Sequence, residues 1–351
     1  MYIILAILIF SILIVVHELG HFLTAKLFGV QVNEFSVFMG PKIFQWKGKE
    51  TVYSLRCIPL GGYCAMEGEN EGSENPRAFT NAKPWKRAVI LVAGAAMNFF
   101  LGFLLVLCIF APARQFSEPV LRDFYEGCPY EAEEGFQKGD RIWSIDGKRV
   151  RTVDDFSLFL SRSGEDVDLV LKRQGEKIRL EDYHLVPVEY RVDGVSEYLY
   201  GFYFEVKEAS LGTHLQQAWY DCIYFTRLIW MSLGDMVSGA VSIKDVSGPV
   251  GIVAMISETG EEAGSTREGI LDVLYLGAFI AVNLAVMNLL PIPALDGGRV
   301  FALLLTGIIE GITRKKVDPK YEGYIHAAGM LLLLAFMAFV MFQDVFKLIF
   351  K

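Results

Sequence analysis

The feature that most constrains this chain is an HELGH motif at residues 17–21, because it lies inside an apolar segment long enough to cross a membrane. Residues 1–16 carry no charged side chain. On a helix, positions i and i+4 share a face, so His17 and His21 can bind one metal ion while Glu18 stands beside them as a base. Such polar groups are costly at membrane depth and are usually functional there. The motif therefore predicts a metal-dependent hydrolase that works inside a bilayer; the alternative is a histidine pair satisfied by the protein itself.

Composition and charge narrow the class of protein. Hydrophobic residues make up 53% of the 351 residues, and the mean hydropathy of +0.36 fits a chain that is partly in lipid and partly soluble. The net charge of −8 gives no electrostatic support for a nucleic-acid partner. Residues 113–207 hold 20 acidic and 14 basic side chains, a net −6, so the acid is concentrated in one soluble block. The five cysteines lack CxxC spacing, which argues against a disulfide framework, a zinc ribbon or a thiol redox site.

Four apolar segments are long enough to cross a bilayer, which takes about 17–25 residues. They cover residues 1–25, 88–110, 273–295 and 325–343. The chain starts without the basic region of a secretory signal, so we expect the first segment to be retained as a span. The sequence therefore predicts a polytopic α-helical membrane protein with four transmembrane helices.

Basic residues beside two of the connections indicate the orientation of the chain. Lys83, Lys86 and Arg87 come just before the second span. A second basic group lies between the third and fourth spans: Arg314, Lys315, Lys316 and Lys320. Cytoplasmic connections carry an excess of Lys and Arg, so both connections are predicted to be cytoplasmic and both termini to be outside.

Under this topology, two sets of potential metal ligands reach a similar depth. His17 is about 24 Å along its helix at 1.5 Å per residue, most of the way through a core of about 30 Å. Asp296 falls at the inner end of the third span, after Pro291 and Pro293, which break the helix. A carboxylate in such a break is costly unless it has a cationic partner. We therefore predict that His17, His21 and Asp296 bind one zinc ion and leave its fourth position for water.

The connections between the spans carry strand, turn and helix signals. Residues 30–63 alternate loosely in polarity between glycine-containing turns and predict a β-rich segment, and the polar residues 64–84 predict a cytoplasmic loop. Residues 113–207 are long enough for one small domain of mixed strand and helix. Residues 208–270 predict an amphipathic connector whose aromatic residues favour a membrane interface; an ordinary packing helix is the alternative.

Within residues 113–207, three local patterns predict particular elements. Residues 141–145, followed by Asp146-Gly147, predict a strand and a tight turn. Thr152 can cap a short helix that runs through Leu160. Residues 167–171 alternate in polarity and predict a further strand.

Several motifs occur together in an order typical of one family. They are HELGH in the first span, the NxxPxPxLDG motif at residues 288–297, and Gly139-Asp140 between them. This combination resembles the site-2 protease family of intramembrane zinc metalloproteases, most closely the bacterial group that cleaves membrane-anchored anti-sigma factors. The resemblance covers nearly the whole chain and also includes residues 35–37, 59–63, Asn98 and 248–252.

The resemblance implies a zinc metalloendopeptidase in which Glu18 is the general base. Its substrates would be single-pass membrane proteins, such as anti-sigma factors or signal-peptide remnants, cleaved within or near the transmembrane segment in regulated intramembrane proteolysis. Four residues become candidates for binding the substrate: Asn283, Asn288, Pro291 and Pro293. For the two asparagines, the alternative is that they satisfy the broken helix itself.

The resemblance also implies a domain organisation and a location. Residues 134–142 and the Ser144–Gly147 stretch resemble the PDZ signature of this family. The expected fold is therefore four transmembrane helices, a membrane-associated β-rich segment and one inserted α+β PDZ domain outside the cytoplasm. That domain would either bind a peptide in its groove or act only as a size filter. The protein would lie in the bacterial inner membrane with its active site near the cytoplasmic side.

Two other functional classes remain open from the sequence. A membrane scaffold or chaperone with a structural metal and a peptide-binding PDZ domain would need a closed site with four ligands, and no fourth protein ligand is apparent. An ion transporter could use the intramembrane His, Glu and Asp side chains, but the two pairs of spans show no internal repeat.

Overall fold

The computed structural model describes most of the chain and divides it into two compact units. The described residues are 1–69, 73–192, 194–241, 248–314 and 320–349. Lys315 and Lys316, two of the basic residues used to predict the orientation, lie outside them. One unit consists of Met1–Ile109 with Phe225–Lys351, and the other is Phe110–Tyr224.

Among the described residues, four helices are long and apolar enough to cross a membrane, which confirms the predicted number. Three of them are α1 (Tyr2–Leu27), α2 (Pro84–Phe110) and α6 (Thr266–Asn288), and the fourth lies within α8 (Lys320–Ile349). The first, second and fourth helices contain the predicted segments almost completely. They extend beyond them because flanking polar residues, such as those of the first turn of α2, continue the helix.

The structure corrects the third span. The prediction was residues 273–295, whereas α6 starts earlier and ends at Asn288. The start is earlier because the side chain of Ser265 caps the helix by accepting a hydrogen bond from the backbone of Glu268. The end is earlier because the following segment contains two prolines, which lack the N–H needed to continue a helix. Asp296 is therefore the first residue of a further helix, α7 (Asp296–Thr313), which was not predicted.

In its described part, the predicted connector of residues 208–270 contains two helices and the first turn of α6. Helix α4 (Leu211–Ser238) carries the predicted aromatic residues, and residues 242–247 lie outside the described part of the chain. Helix α5 (Pro249–Glu262) packs against α1 and α6, and its buried Ile256 belongs to the same apolar cluster as Leu13 and Val273. Helix α5 is therefore part of the helical core.

The predicted β-rich segment is confirmed and extends to Met66. It consists of β1 (Val32–Lys47) and β2 (Val52–Met66). Residues 32–37 pair with residues 62–66 and also with residues 52–55, so this part of β1 has a partner on each side. The far end of β1 folds over and pairs with residues 52–56.

A cluster of charged and polar side chains joins β1 to β2. The carboxylate of Glu34 accepts hydrogen bonds from Ser54, at 2.6 Å, and from Arg56, at 3.1 Å. Burial raises the pKa of Glu34, but these hydrogen bonds outweigh it and lower the pKa to about 2. Arg56 also donates to the hydroxyl of Tyr63, at 2.6 Å. Both strands are thus joined by ionised side chains that stay charged at physiological pH.

The unit Phe110–Tyr224 is built mainly of strands. Its elements are β3 (Gln115–Phe124), β4 (Arg141–Ile145), β5 (Lys148–Arg149), α3 (Val153–Leu160), β6 (Asp166–Arg173), β7 (Glu176–His184), β8 (Val188–Val192), β9 (Val195–Leu199) and β10 (Phe202–Glu208). Six of the strands form a sheet with the order β10-β3-β4-β6-β7, in which β5 pairs with β4, and strands β8 and β9 form a separate hairpin.

The three local predictions in this unit are confirmed. Strand β4 ends in a turn in which Asp146 and Gly147 both have positive φ, at 47° and 72°. The side chain of Thr152 caps α3 by accepting from the backbone of Asp155, at 3.1 Å. The Gly139-Asp140 motif is structural here, since Asp140 is fully buried and forms two hydrogen bonds of 2.8 Å with the guanidinium of Arg173.

Candidate metal centre

Helix α1 and the start of α7 bring three side chains together. His17 and His21 lie one turn apart on the same face of α1, and their Nε2 atoms are 3.2 Å apart. The Oδ2 atom of Asp296 is 3.0 Å from Nε2 of His17 and 3.3 Å from Nε2 of His21. In the described part of the chain, no fourth His, Cys, Asp or Glu completes this group.

The triangle of donor atoms has the size that one metal ion requires. Ligand atoms bound tetrahedrally at about 2.0–2.1 Å from a zinc ion are roughly 3.3–3.4 Å apart. The Oδ2 atom of Asp296 is buried, and no hydrogen-bond partner for it occurs among the described residues. A cation between the three side chains would satisfy this oxygen.

The second span orients both imidazole rings. Nδ1 of His21 donates a hydrogen bond to the carbonyl oxygen of Ile90, at 2.8 Å, which leaves Nε2 as the free ligand atom. The side-chain amide of Asn98 lies 3.4 Å from Nδ1 of His17; when the amide is turned so that its Oδ1 atom, which has no partner among the described residues, accepts from Nδ1–H, Nε2 of His17 is also left as a ligand atom. Partners of this kind fix the tautomer of a metal-binding histidine. The sequence singled out Asn98 only as part of the resemblance and gave no sign of Ile90.

Glycine lets α2 approach the rings closely. A Cβ at Gly94 would lie 2.5 Å from Nε2 of His21 and 2.7 Å from Cε1 of His17. A Cβ at Gly20, within the HELGH motif itself, would collide with the backbone oxygen of Ala93. Small residues on facing apolar helices are the sequence signal of such a close approach. A side chain larger than hydrogen at position 94 would occupy the space of the imidazoles.

The carboxylate of Glu18 is held against strand β2. Its Oε2 atom accepts a hydrogen bond from the backbone N–H of Cys64, at 2.9 Å. Cys64 lies in the part of β2 that pairs with residues 32–37 through its other side. Glu18 therefore stands at the outer edge of this strand, beside the two metal-binding candidates of α1.

The loop between α6 and α7 satisfies its own backbone. Asn288 is the last residue of α6, Asn283 lies within the helix, and Pro291 and Pro293 are exposed in the loop. The N–H groups of the loop all find acceptors: Leu289 bonds to Val286, Leu290 to Met287, Ile292 to Leu290, Ala294 to Nδ1 of His326 and Leu295 to Ile292. Because these donors are satisfied by carbonyl groups and by His326, the amides of Asn283 and Asn288 are not needed for that purpose.

Contacts on both sides hold the start of α7 in place. Gly297 packs against the backbone of Leu289, and a Cβ there would overlap it. Arg299, one turn into α7, forms an ion pair with Glu69, which follows β2. On the other side, Gly329 of α8 lies against Pro293. Asp296 is thus positioned by the loop, by the β-rich segment and by α8.

Comparison with known proteins identifies this arrangement. The sequence profile of peptidase family M50 matches residues 5–336, nearly the whole chain. The chain belongs to peptidase family M50. A protein of Clostridium acetobutylicum that has been assigned the name zinc metalloprotease is 38% identical over 346 residues, which cover 98% of this chain and 97% of the relative. The zinc metalloprotease RasP of Shouchella clausii is 30% identical, with 97% of each chain covered.

This M50 peptidase is a zinc metalloendopeptidase and a multi-pass membrane protein, and its cofactor is zinc. The predictions of family, enzyme class and cofactor are thereby confirmed, and the scaffold and transporter alternatives fall away. The donor set of two imidazoles and one carboxylate fits zinc, which binds nitrogen and oxygen ligands of this type. The alignment with RasP spans 431 positions, more than the 351 residues of this sequence, so parts of RasP have no counterpart among the aligned residues.

Proposed function

We propose that this M50 peptidase hydrolyses peptide bonds within or near the transmembrane segments of single-pass membrane proteins, such as anti-sigma factors or signal-peptide remnants. The observation that carries the proposal is the position of the donor triangle. Two of its three members lie inside α1, a helix long and apolar enough to cross a membrane. Ionisable groups at membrane depth are costly and usually functional, so a peptide that reaches them would itself lie in the membrane.

The chemistry divides among four residues. His17, His21 and Asp296 would hold the zinc ion, which polarises the scissile carbonyl and acidifies a water molecule when it is bound. Glu18 accepts the proton of the attacking water and passes it to the leaving amine. The hydrogen bond from Cys64 keeps its carboxylate in place during both transfers.

A substrate must be extended at the site, because an intact helix hides its peptide bonds. Residues 62–66 of β2 pair with β1 on one side, and Cys64 points its N–H away from β1 toward Glu18. A chain added along this edge would lie beside the catalytic base and receive backbone hydrogen bonds from the strand. We propose that the β-rich segment supplies this edge.

We further propose that Asn283 and Asn288 bind the substrate backbone, with Pro291 and Pro293 shaping the loop beside it. The loop meets its own hydrogen-bonding needs without these amides, which leaves both amides available to a second chain. The exposed prolines offer no N–H of their own, so a chain that passes them meets only carbonyl acceptors.

We propose that the unit Phe110–Tyr224 contains a PDZ-type domain, predicted at residues 113–207, and that it filters substrates by the size of their extracytoplasmic part. The support is a compact mixed unit with its own sheet and the capped helix α3. A folded domain inserted between two membrane spans can exclude bulky partners without binding peptide tightly.

Removal of this domain tests the filter. We expect full-length enzyme to cleave a single-pass substrate only after its ectodomain has been trimmed. An enzyme in which residues 115–205 are replaced by a short Gly/Ser linker should cleave the trimmed and untrimmed forms alike. The measurement is the cleavage rate of each form in proteoliposomes, with zinc content as the control for an intact site. Equal discrimination by both enzymes would show that the unit is not the filter.

We also propose that the enzyme lies in the bacterial cytoplasmic membrane with both termini outside and the zinc site near the cytoplasmic face. Lys83, Lys86, Arg87 and Arg314 support this orientation by the excess of basic residues in cytoplasmic connections.

Cysteine labelling of intact cells tests the orientation. In a background without the native cysteines, Glu176→Cys should react with a membrane-impermeant thiol reagent, because it lies at an exposed turn of the predicted outer domain. Glu74→Cys, which is exposed between β2 and α2, should react only after the membrane is permeabilised. The reverse pattern would overturn the orientation.

A further inference from the structure

The unit Phe110–Tyr224 holds a polar cleft of its own. It lies between strands β3, β4 and β10 and the first turns of α4 and opens to solvent, and its empty volume of about 330 Å³ includes the open solvent at its mouth. None of its lining residues takes part in the chemistry described above.

The cleft is positively charged although the surrounding block is acidic. Its lining includes Arg141, Arg151 and Lys207 but only one carboxylate, Glu118. Glu118 accepts hydrogen bonds of 3.1 Å from Arg141 and of 3.1 Å from Lys207. Burial raises the pKa of Glu118, but the hydrogen bond from Lys207 and the charge of Arg141 outweigh it, so the pKa is lowered and the carboxylate is ionised. Three cations and one anion leave a local excess of positive charge.

The guanidinium of Arg151 has a hydrogen-bond donor that no described residue accepts. Its Nη1 atom is buried, and the described part of the chain provides no hydrogen-bond partner for it. Its backbone is fixed by a hydrogen bond of 2.8 Å to the carboxylate of Asp155. The positive charge of this region also affects Arg149: burial and the charges of Arg141 and Arg151 lower the pKa of its guanidinium. A buried guanidinium donor without an acceptor is costly, and an anion with several oxygens would remove that cost.

The cleft is connected to the end of a membrane span. The ring of Phe116, which lines the cleft, lies 5.6 Å from the ring of Phe110, the last residue of α2. Trp219 and Tyr220, aromatic residues of the type found at membrane interfaces, lie on the helix that forms the other wall, and Trp219 is 49% exposed. A residue at the end of a span lies close to lipid headgroups, whose phosphates are therefore anions within reach of this part of the chain.

We propose that this cleft binds the phosphate group of an anionic phospholipid. The planar guanidinium of Arg151 can donate two parallel hydrogen bonds to phosphate oxygens, while Lys207 and Arg141 contribute charge. Such binding would tie the unit to the bilayer surface. The proposal is independent of zinc binding and of proteolysis.

The test compares three phosphate sources with the full chain in a neutral detergent. Short-chain phosphatidylglycerol, short-chain phosphatidylcholine and inorganic phosphate are each titrated, and bound ligand is counted by native mass spectrometry. The variants are Arg151→Gln and Arg151→Lys. Arg179→Gln is the matched control, because Arg179 is an exposed arginine of the same unit and is not part of the cleft.

We expect phosphatidylglycerol to bind in preference to phosphatidylcholine and inorganic phosphate. Arg151→Gln should weaken it about tenfold, the effect of one charge-assisted hydrogen-bond pair. Arg151→Lys should weaken it less, since it keeps the charge but loses the fork. Arg179→Gln should change it by less than about twofold.

Two kinds of result would overturn the proposal. Equal binding of phosphatidylglycerol to the wild type and to both Arg151 variants would show that this cleft is not the binding site. The lysine variant tests this even if the glutamine variant is unstable. Binding of inorganic phosphate that depends on Arg151, without any preference for phosphatidylglycerol, would exclude a lipid as the ligand.

Discussion

Glu18→Gln is expected to leave zinc bound and to lower kcat by about 10²- to 10⁴-fold, the usual contribution of a general base. Glutamine has the same shape as glutamate, and its amide oxygen can still accept the hydrogen bond from Cys64 that the carboxylate accepts at 2.9 Å. The side chain therefore keeps its place but cannot take a proton from water. Zinc content and cleavage of a transmembrane substrate in proteoliposomes measure the two effects separately.

The control for this variant is Glu181→Gln, which changes an exposed glutamate of the other unit in the same way. It should retain both zinc and turnover. If Glu18→Gln keeps its kcat, another group is the base; if it loses zinc as well as turnover, the carboxylate contributes to metal binding.

Asp296→Ala and His21→Ala are each expected to weaken zinc binding by more than about 100-fold, because even the loss of a group that only orients a zinc ligand costs 10- to 100-fold. Each variant leaves two donors of a triangle whose sides are 3.0–3.3 Å. Two donors cannot hold zinc with the affinity of a three-ligand site. Zinc remaining after dialysis against a chelator, measured by atomic absorption, reports the loss directly.

Asp272→Ala provides the comparison, since Asp272 is an exposed aspartate on α6. Its zinc content should match that of the wild type after the same dialysis. Full zinc and full activity in Asp296→Ala would mean that the third ligand has been assigned wrongly.

Elements set by local signals could be predicted from the sequence. The first, second and fourth spans follow from apolar length, and the turn at Asp146-Gly147 depends on the tolerance of these two residues for positive φ. Thr152 caps α3 because a hydroxyl at that position can accept a backbone hydrogen bond three residues ahead. In each case the cause lies within a few residues of its effect.

The third span shows where such signals are insufficient. Residues 273–295 contain no charge, so hydropathy extends the span through Pro291 and Pro293, whereas the backbone stops at Asn288. Helix α7 carries three charged residues, Asp296, Arg299 and Glu310, on an otherwise apolar sequence, and hydropathy therefore does not predict it as a span. Its start depends on contacts with Glu69 and with α8, which are distant in the sequence.

The surroundings of the candidate ligands were also beyond the sequence. The motif predicted that His17 and His21 share a helical face, but the acceptor for Nδ1 of His21 is a backbone carbonyl on another helix. Every residue offers a carbonyl, so no residue type marks Ile90 for this role. The informative residues were Gly20 and Gly94, whose missing side chains allow the helices to approach.

The donors of the triangle are far apart in the sequence, so they are synthesised at different times. His21 and Asp296 are 275 residues apart, so at a synthesis rate of about 5–20 residues per second the first two donors exist for roughly 14–55 s before the third is made. His326, which accepts the hydrogen bond from Ala294 beside Asp296, is made later still. A chain that has not yet been synthesised past Asp296 thus lacks a complete donor set, and the membrane is not exposed to a working protease before that point.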